Sequence, residues 1–240
     1  MKLTIGIDTG GTFTDAVIYD KEQNSILCNA KALTTRDDLK KGILNALKAL
    51  DASLFPHVDT VALSTTLATN ACVEHKSDRV KLIMLGTDRA LVAKIGKEYG
   101  LPNINEIITT DWGLTSDGTV GEADIDSLIA EAKLYAADTD AFAVTAQWGM
   151  KNPAFERDIA KLIESETGVR TICSDELSKM INVMKRAATV YLNAGLIRIS
   201  DEFFTAVKQG LSQLGIKANI VIVRGDGGMM SEEYAAKHPV

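Results

Sequence analysis

Apolar residues alternate with polar or small ones from Leu3 through Ile7, and a short apolar run follows from Ala16 to Tyr19. A period of two is the mark of a strand with one buried face. Reading on in this way predicts strands at 3–8, 14–19, 26–33, 58–64, 80–85, 141–146, 170–173 and 219–223. Between them the spacing changes to three and four. Leu39, Ile43, Leu47 and Leu50 form one helical stripe, and Ile125, Leu128, Ile129 and Ala132 form a second. Phe155, Ile159, Leu162 and Ile163 form a third, with Pro153 suited to its first turn. Phe203, Val207, Leu211 and Leu214 form a fourth. Such stripes are core-facing surfaces, so the pattern as a whole is α/β.

Breaks at Gly86-Thr87-Asp88 and across 112–121, which includes Ser116-Asp117-Gly118, carry turn chemistry rather than linker composition. The order of elements divides the chain into 1–79, 80–172 and 173–240, the middle part reading as an additional α/β subdomain. The composition allows a proper core, at 46% hydrophobic over 240 residues, and a net charge of −6 argues against a broad nucleic-acid surface. No apolar run reaches about 18 residues, so no membrane span is expected, and the first residues lack the basic, apolar and small-residue succession of a signal peptide, so no secretory leader is expected either. Cys28, Cys72 and Cys173 are far apart without a CxxC pair, so reduced thiols and a cytoplasmic setting are expected.

The chemistry concentrates in three segments that leave strands. Asp8-Thr9-Gly10-Gly11-Thr12-Phe13-Thr14-Asp15 joins the first two strands. Gly-Gly there is also what an ordinary hairpin turn needs. As a functional element, Gly10 and Gly11 let main-chain N–H groups approach an anion, Thr12 and Thr14 add hydroxyls, and Asp8 is an oxygen ligand for Mg²⁺. Ser64-Thr65-Thr66-Leu67-Ala68-Thr69-Asn70 follows the strand at 58–64 and reads either as helix caps or as a grip on a small polar substrate. Arg224-Gly225-Asp226-Gly227-Gly228 follows the strand at 219–223, either as a tight loop or as a site for an anion or metal-bound ligand. Two weaker segments complete the set. Asn152-Pro153 precedes a helix, and Arg186, Thr189 and Asn193 share one helical face, either an ordinary solvated one or a side facing a cleft.

The Gly-x-Asp-x-Gly-Gly-Thr opening resembles the first phosphate loop of the actin-like ATPase superfamily, whose ribonuclease H-like domain starts with three strands, a helix and a strand. The succession from Gly10–Asp15 through Thr65–Asn70, Asn152-Pro153, Arg186, Asn193-Ala194 and Gly227-Gly228 is similar to the N-terminal half of the hydantoinase/oxoprolinase family, of the hydantoinase A type. Leu63-Ser64 and Gly225-Asp226 depart from the family's His-Gly and Ser-Asn, near the expected substrate region.

The resemblance implies an ATP- and Mg²⁺-dependent hydrolase that phosphorylates the amide oxygen of a cyclic substrate, such as a hydantoin or 5-oxoproline. Asp8 would hold the metal, and Gly10, Gly11, Thr12 and Thr14 the nucleotide. Thr65, Thr66, Asn70 and Arg224 would orient substrate, and Asp226 would join Asp8 in catalysis. A second Asp-x-Gly-Gly-Thr loop, which the family carries further on, does not occur between Met1 and Val240. The expectation is therefore an incomplete two-domain cleft that needs a further C-terminal region or a second subunit. A homo-oligomer is compatible with this. A small-molecule kinase, an ATP-dependent carboxylase subunit and a non-catalytic binding fragment are the alternatives.

Overall fold

The computed structural model describes residues 2–35, 39–65, 77–224 and 227–238. In chain order the elements are β1 (Leu3–Thr9), β2 (Phe13–Asp20), β3 (Ser25–Leu33), α1 (Leu39–Lys48), β4 (Val58–Thr65) and β5 (Val80–Leu85). Then come α2 (Arg89–Ile95), β6 (Ile107–Thr109), α3 (Ile125–Tyr135), β7 (Ala141–Ala146), α4 (Pro153–Thr167) and β8 (Thr171–Cys173). The chain continues through α5 (Val183–Ala194), α6 (Ile197–Gln213), β9 (Asn219–Val223), β10 (Met229–Ser231) and α7 (Glu232–Lys237). They form two compact units, Met1–Lys76 with Ile197–Pro239, and Ser77–Leu196.

The first unit is a six-stranded sheet of order β10-β9-β4-β1-β2-β3. β1, β2 and β3 pair antiparallel, whereas β4 runs parallel to β1 and β9 parallel to β4. This is the ribonuclease H-like arrangement of actin-like ATPases. Alternation decides which face is covered. Ile5, Ile7, Ala16 and Ile18 are fully or almost fully buried, together with Ile43 and Leu47 of α1 and Phe203, Val207 and Leu211 of α6. Each of the larger of these side chains (Ile, Leu, Val and Phe) contributes about 1.5–3 kcal/mol by leaving water. The opposite face carries Asp8 and Asp15, which are direct cross-strand partners.

The second unit is a wholly parallel sheet of order β6-β5-β7-β8. A parallel sheet is covered on both faces, which is why Val80–Leu85 and Ala141–Ala146 read as continuous apolar runs rather than alternations. Ile83, Phe142 and Val144 pack with Leu128 and Ala132 of α3 and Ile159 and Ile163 of α4. Leu82, Met84 and Ala143 pack with Val92 of α2 and Met184, Ala187 and Val190 of α5. Through these contacts α5 groups with the second unit, whereas the sequence division placed it in 173–240. Pro153 occupies the first turn of α4, and Gly168 closes the helix with a left-handed φ of 70°. β6 and β10, three residues each, were not foreseen.

Candidate functional site

β1, β4 and β9 are parallel neighbours, so all three deliver their carboxyl ends to one edge of the first sheet. Asp8 lies opposite Ser64 and Thr9 opposite Thr65. Leu63 lies opposite Ile222, two residues before Arg224. The loop at Gly10–Thr12, the end of β4 at Thr65 and the turn beginning at Arg224 therefore leave adjacent strands on the same side, where open α/β sheets bind ligands. Thr66, Asn70 and Asp226, the remaining residues expected at this site, lie outside the described residues.

The first loop is a hairpin turn as well as a candidate phosphate cradle. The Gly10 N–H donates to the Phe13 carbonyl at 2.9 Å, leaving Gly11 and Thr12 at the tip. At position 10 the constraint is space rather than a positive φ, since a Cβ there would stand 3.3 Å from the Phe13 oxygen, a tight contact. Thr12 is exposed, whereas Thr14 is wholly buried with its hydroxyl 3.1 Å from that of Thr34. Thr34 in turn donates its hydroxyl to the Gly10 carbonyl at 2.9 Å and its N–H to the Thr12 carbonyl at 2.9 Å.

The two aspartates of the motif differ in environment. Asp15 pairs with Lys31 at 3.1 Å, and the Lys31 ammonium also sits 4.9 Å from the Phe13 ring centroid, a cation–π distance. Asp8 is exposed at the sheet edge. Among the described residues no group of three or more His, Cys, Asp or Glu side chains gathers into a metal cage. One exposed carboxylate beside a phosphate-sized loop is nevertheless the donor set that suits Mg²⁺, which keeps water ligands and takes one or two carboxylates plus phosphate oxygens.

Arg224 is exposed and begins a tight turn joining β9 to β10. Its N–H donates to the Gly228 carbonyl at 2.8 Å, and the Gly227 N–H returns to the Arg224 carbonyl at 2.9 Å. Gly227 adopts φ 81°, a conformation that other residues resist. Past the turn, the Ser231 hydroxyl caps α7 by accepting the Tyr234 N–H at 3.2 Å.

The sequence reading missed a buried polar cluster in the second unit. Arg186, expected on a solvated helix face, is 1% exposed, and Glu156 is 0% exposed. Glu156 accepts the Ala146 N–H at 2.8 Å, the Ser174 hydroxyl at 2.8 Å and the Asp175 N–H at 3.0 Å. Arg186 lies 3.8 Å from the Glu156 carboxylate and donates to the Met180 carbonyl at 2.8 Å and the Ile181 carbonyl at 3.1 Å. It also bonds the Ala146 carbonyl. Burial pushes the Glu156 carboxyl up, against the pull of these donors, and pushes the Arg186 guanidinium down. The cluster fixes the end of β7, where Trp148 holds a left-handed φ of 62° and Gly149 would direct a Cβ to 2.0 Å from Glu156 Oε1. Asn193, also buried, donates to the Thr189 carbonyl within its own helix at 2.8 Å. Only a carboxylate in the first turn of α4 and an arginine thirty residues on hinted at this pairing, and they share no local period.

Comparison with known proteins adds the following. Residues 4–167 match the family profile described as the hydantoinase/oxoprolinase N-terminal region. The chain is 26% identical to the acetophenone carboxylase gamma subunit of Aromatoleum aromaticum, over 94% of this chain and 35% of that protein. It is 25% identical to the caprolactamase subunit alpha of Pseudomonas jessenii, over 94% of this chain and 36% of that protein. The chain thus spans about a third of the length of the curated relatives it matches. In fold it is similar to nucleotide-free acetone carboxylase, with a TM-score of 0.82 at 18% identity, covering 98% of this chain and 38% of that one. It is also similar to the ATP-dependent caprolactamase of Pseudomonas jessenii, with a TM-score of 0.75 at 21% identity, covering 95% of this chain and 36% of that one. Among the described residues no helix is long and apolar enough to cross a membrane.

Proposed function

We propose that this chain, which belongs to the hydantoinase/oxoprolinase family, is the nucleotide-holding N-terminal part of an ATP-dependent enzyme that opens a cyclic amide. The observation that carries the reading is the shared carboxyl edge of β1, β4 and β9, which gathers Asp8, the Gly10–Thr12 loop, Thr65 and Arg224. An amide resists attack because its carbonyl carbon is resonance-stabilised, and transfer of a phosphoryl group to its oxygen removes that protection. Phosphoryl transfer asks mainly for positioning and charge neutralisation.

In this reading Asp8 holds Mg²⁺, the Gly11-Thr12 tip meets the phosphates, and Thr65, Thr66, Asn70 and Arg224 orient the substrate. Asp226 handles the proton of the attacking water. A bound magnesium ion would supply charge neutralisation on the phosphate oxygens. The opposing wall of the nucleotide site comes from a further region of the polypeptide or a second subunit.

A second reading, an ATP-dependent carboxylase, is favoured by the similarity to the acetophenone carboxylase gamma subunit. A lactam and an aryl ketone share a carbonyl oxygen, so the same phosphoryl transfer could serve either.

The test offers cyclic amides, and separately a ketone with bicarbonate, to the complete assembly with MgATP. ADP release and the organic product are then followed together. Coupled ADP release and ring opening are expected, and Asp8→Ala should lower turnover by about a hundredfold or more while the protein stays folded. Ring opening without ADP, or a phosphorylated product with the ring intact, would overturn the hydrolase reading. Carboxylated ketone would select the second reading.

A further inference from the structure

We propose that Ser64, near the end of β4, is a positioning residue of the metal site, its hydroxyl accepting a hydrogen bond from a water of the Mg²⁺ that Asp8 holds. The proposal rests on reading Asp8 and the Gly10–Thr12 loop as a metal and phosphate site. Its own evidence is a row of polar side chains that strand pairing lays across the end of the first sheet. Asp8 is the direct partner of Asp15 on β2 and of Ser64 on β4, and Asp15 is the partner of Lys31 on β3. Directly paired residues project to the same face, and neighbouring strands lie about 4.8 Å apart. Ile7 and Leu63, one residue earlier on their strands, are buried in the core with α1 and α6. Asp8 and Ser64 therefore both project from the other face.

The members of the row differ in what they already hold. Lys31 pairs with Asp15 at 3.1 Å, so the charge on that side of Asp8 is neutralised. On the other side Ser64 is half-buried, and among the described residues neither its hydroxyl nor the Asp8 carboxylate has a hydrogen-bond or ion-pair partner. The neighbouring hydroxyls of Thr9 and Thr14 belong to the covered face, at 0% exposure. A carboxylate only accepts, whereas a hydroxyl has one proton and two lone pairs. Such a pair, one strand apart, suits a hydrated cation. Mg²⁺ dehydrates reluctantly and keeps several waters, so a group that receives a coordinated water's proton orients the ion without stripping it. Serine carries its oxygen one bond nearer the backbone than aspartate does. An ion on the Asp8 carboxylate thus stands further from the sheet than the Ser64 hydroxyl, and a coordinated water spans the difference.

The test uses the complete assembly and measures ADP affinity by calorimetry twice, with excess Mg²⁺ and with the metal chelated. The ratio of the two affinities, the tightening due to the metal, is the readout. Ser64→Ala should reduce this ratio about three- to tenfold, the worth of one hydrogen bond, and leave metal-free affinity within about twofold of wild type. Ser64→Thr keeps the hydroxyl and suits a strand, so it should restore the ratio to within about twofold, a rescue that a packing role would not give. Asp8→Ala is the reference and should abolish the tightening. A ratio unchanged in Ser64→Ala but lost in Asp8→Ala would overturn the proposal and leave the metal reading standing. Equal loss with and without Mg²⁺ would overturn it too, by placing Ser64 on the nucleotide itself. If Asp8→Ala keeps the full tightening, or the wild-type assembly shows none, the metal reading falls and the role of Ser64 falls with it.

Discussion

Replacing Arg186 by methionine removes the cation from a site where both charges are buried, at 1% and 0% exposure for Arg186 and Glu156. The Met180 and Ile181 carbonyls lose their charged donor, and the Glu156 carboxylate loses its counter-charge. Removing one partner of a buried pair costs about 3–5 kcal/mol, and with a urea slope of about 2 kcal/mol per molar the midpoint should fall by about 1.5–2.5 M. Trp112 and Trp148 are the only tryptophans in the chain and both pack against the core of the second unit, so tryptophan fluorescence, excited selectively over tyrosine, reads that unit. The sign of the pH dependence follows from the same geometry. Without the guanidinium, the Glu156 carboxyl, already raised by burial, rises further. A raised carboxyl contributes its full stability below its unfolded value and loses it as pH rises through the folded value. The deficit of Arg186→Met should therefore be smaller near about pH 5 than near about pH 7.5. A deficit under about 1 kcal/mol, or one that grows on acidification, would refute the account of this cluster.

Gly149→Ala should destabilise the same unit by about 1–3 kcal/mol, because its Cβ would stand 2.0 Å from Glu156 Oε1. The same urea titration checks it, and an unshifted midpoint would mean that the loop moves aside freely. Asp15→Asn breaks an exposed pair with Lys31 and should change stability by less than about 1 kcal/mol. Turnover of the assembly should stay within about threefold, or about 0.7 kcal/mol, of wild type. A loss as deep as that of Asp8→Ala would make the two aspartates a joint ligand.

The architecture was legible wherever burial imposes a period. Leu3, Ile5 and Ile7 alternate because they point to the face of β1 that α1 and α6 cover, and Ile43, Leu47, Phe203 and Val207 fall on stripes because they are the sides of those helices that meet it. β6 and β10 are three residues each and were not foreseen, but length alone is not the reason, because β8 is equally short and was. Arg186 was misread because helical spacing tells which residues share a face, not whether a neighbouring segment closes over it. That closure is made here by Ser174 and by Met180 and Ile181. Thr34 was missed for a related reason. It lies 24 residues from Gly10, and the strand register that brings them together exists only once β2 has paired with both neighbours. The site segments themselves were visible as glycines and hydroxyls after strands. That three of them share one edge is a fact of strand order, which no local pattern encodes.

The central claim, that the loop leaving β1 at the shared carboxyl edge meets the nucleotide phosphates, is tested most directly by hydrogen exchange of the complete protein with and without MgATP. The account predicts slowed exchange at Gly11 to Phe13, with the loops at Gly86–Asp88 and Gln147–Gly149 unchanged. Protection confined to those two loops of the second unit, or none anywhere at saturating MgATP, would contradict it.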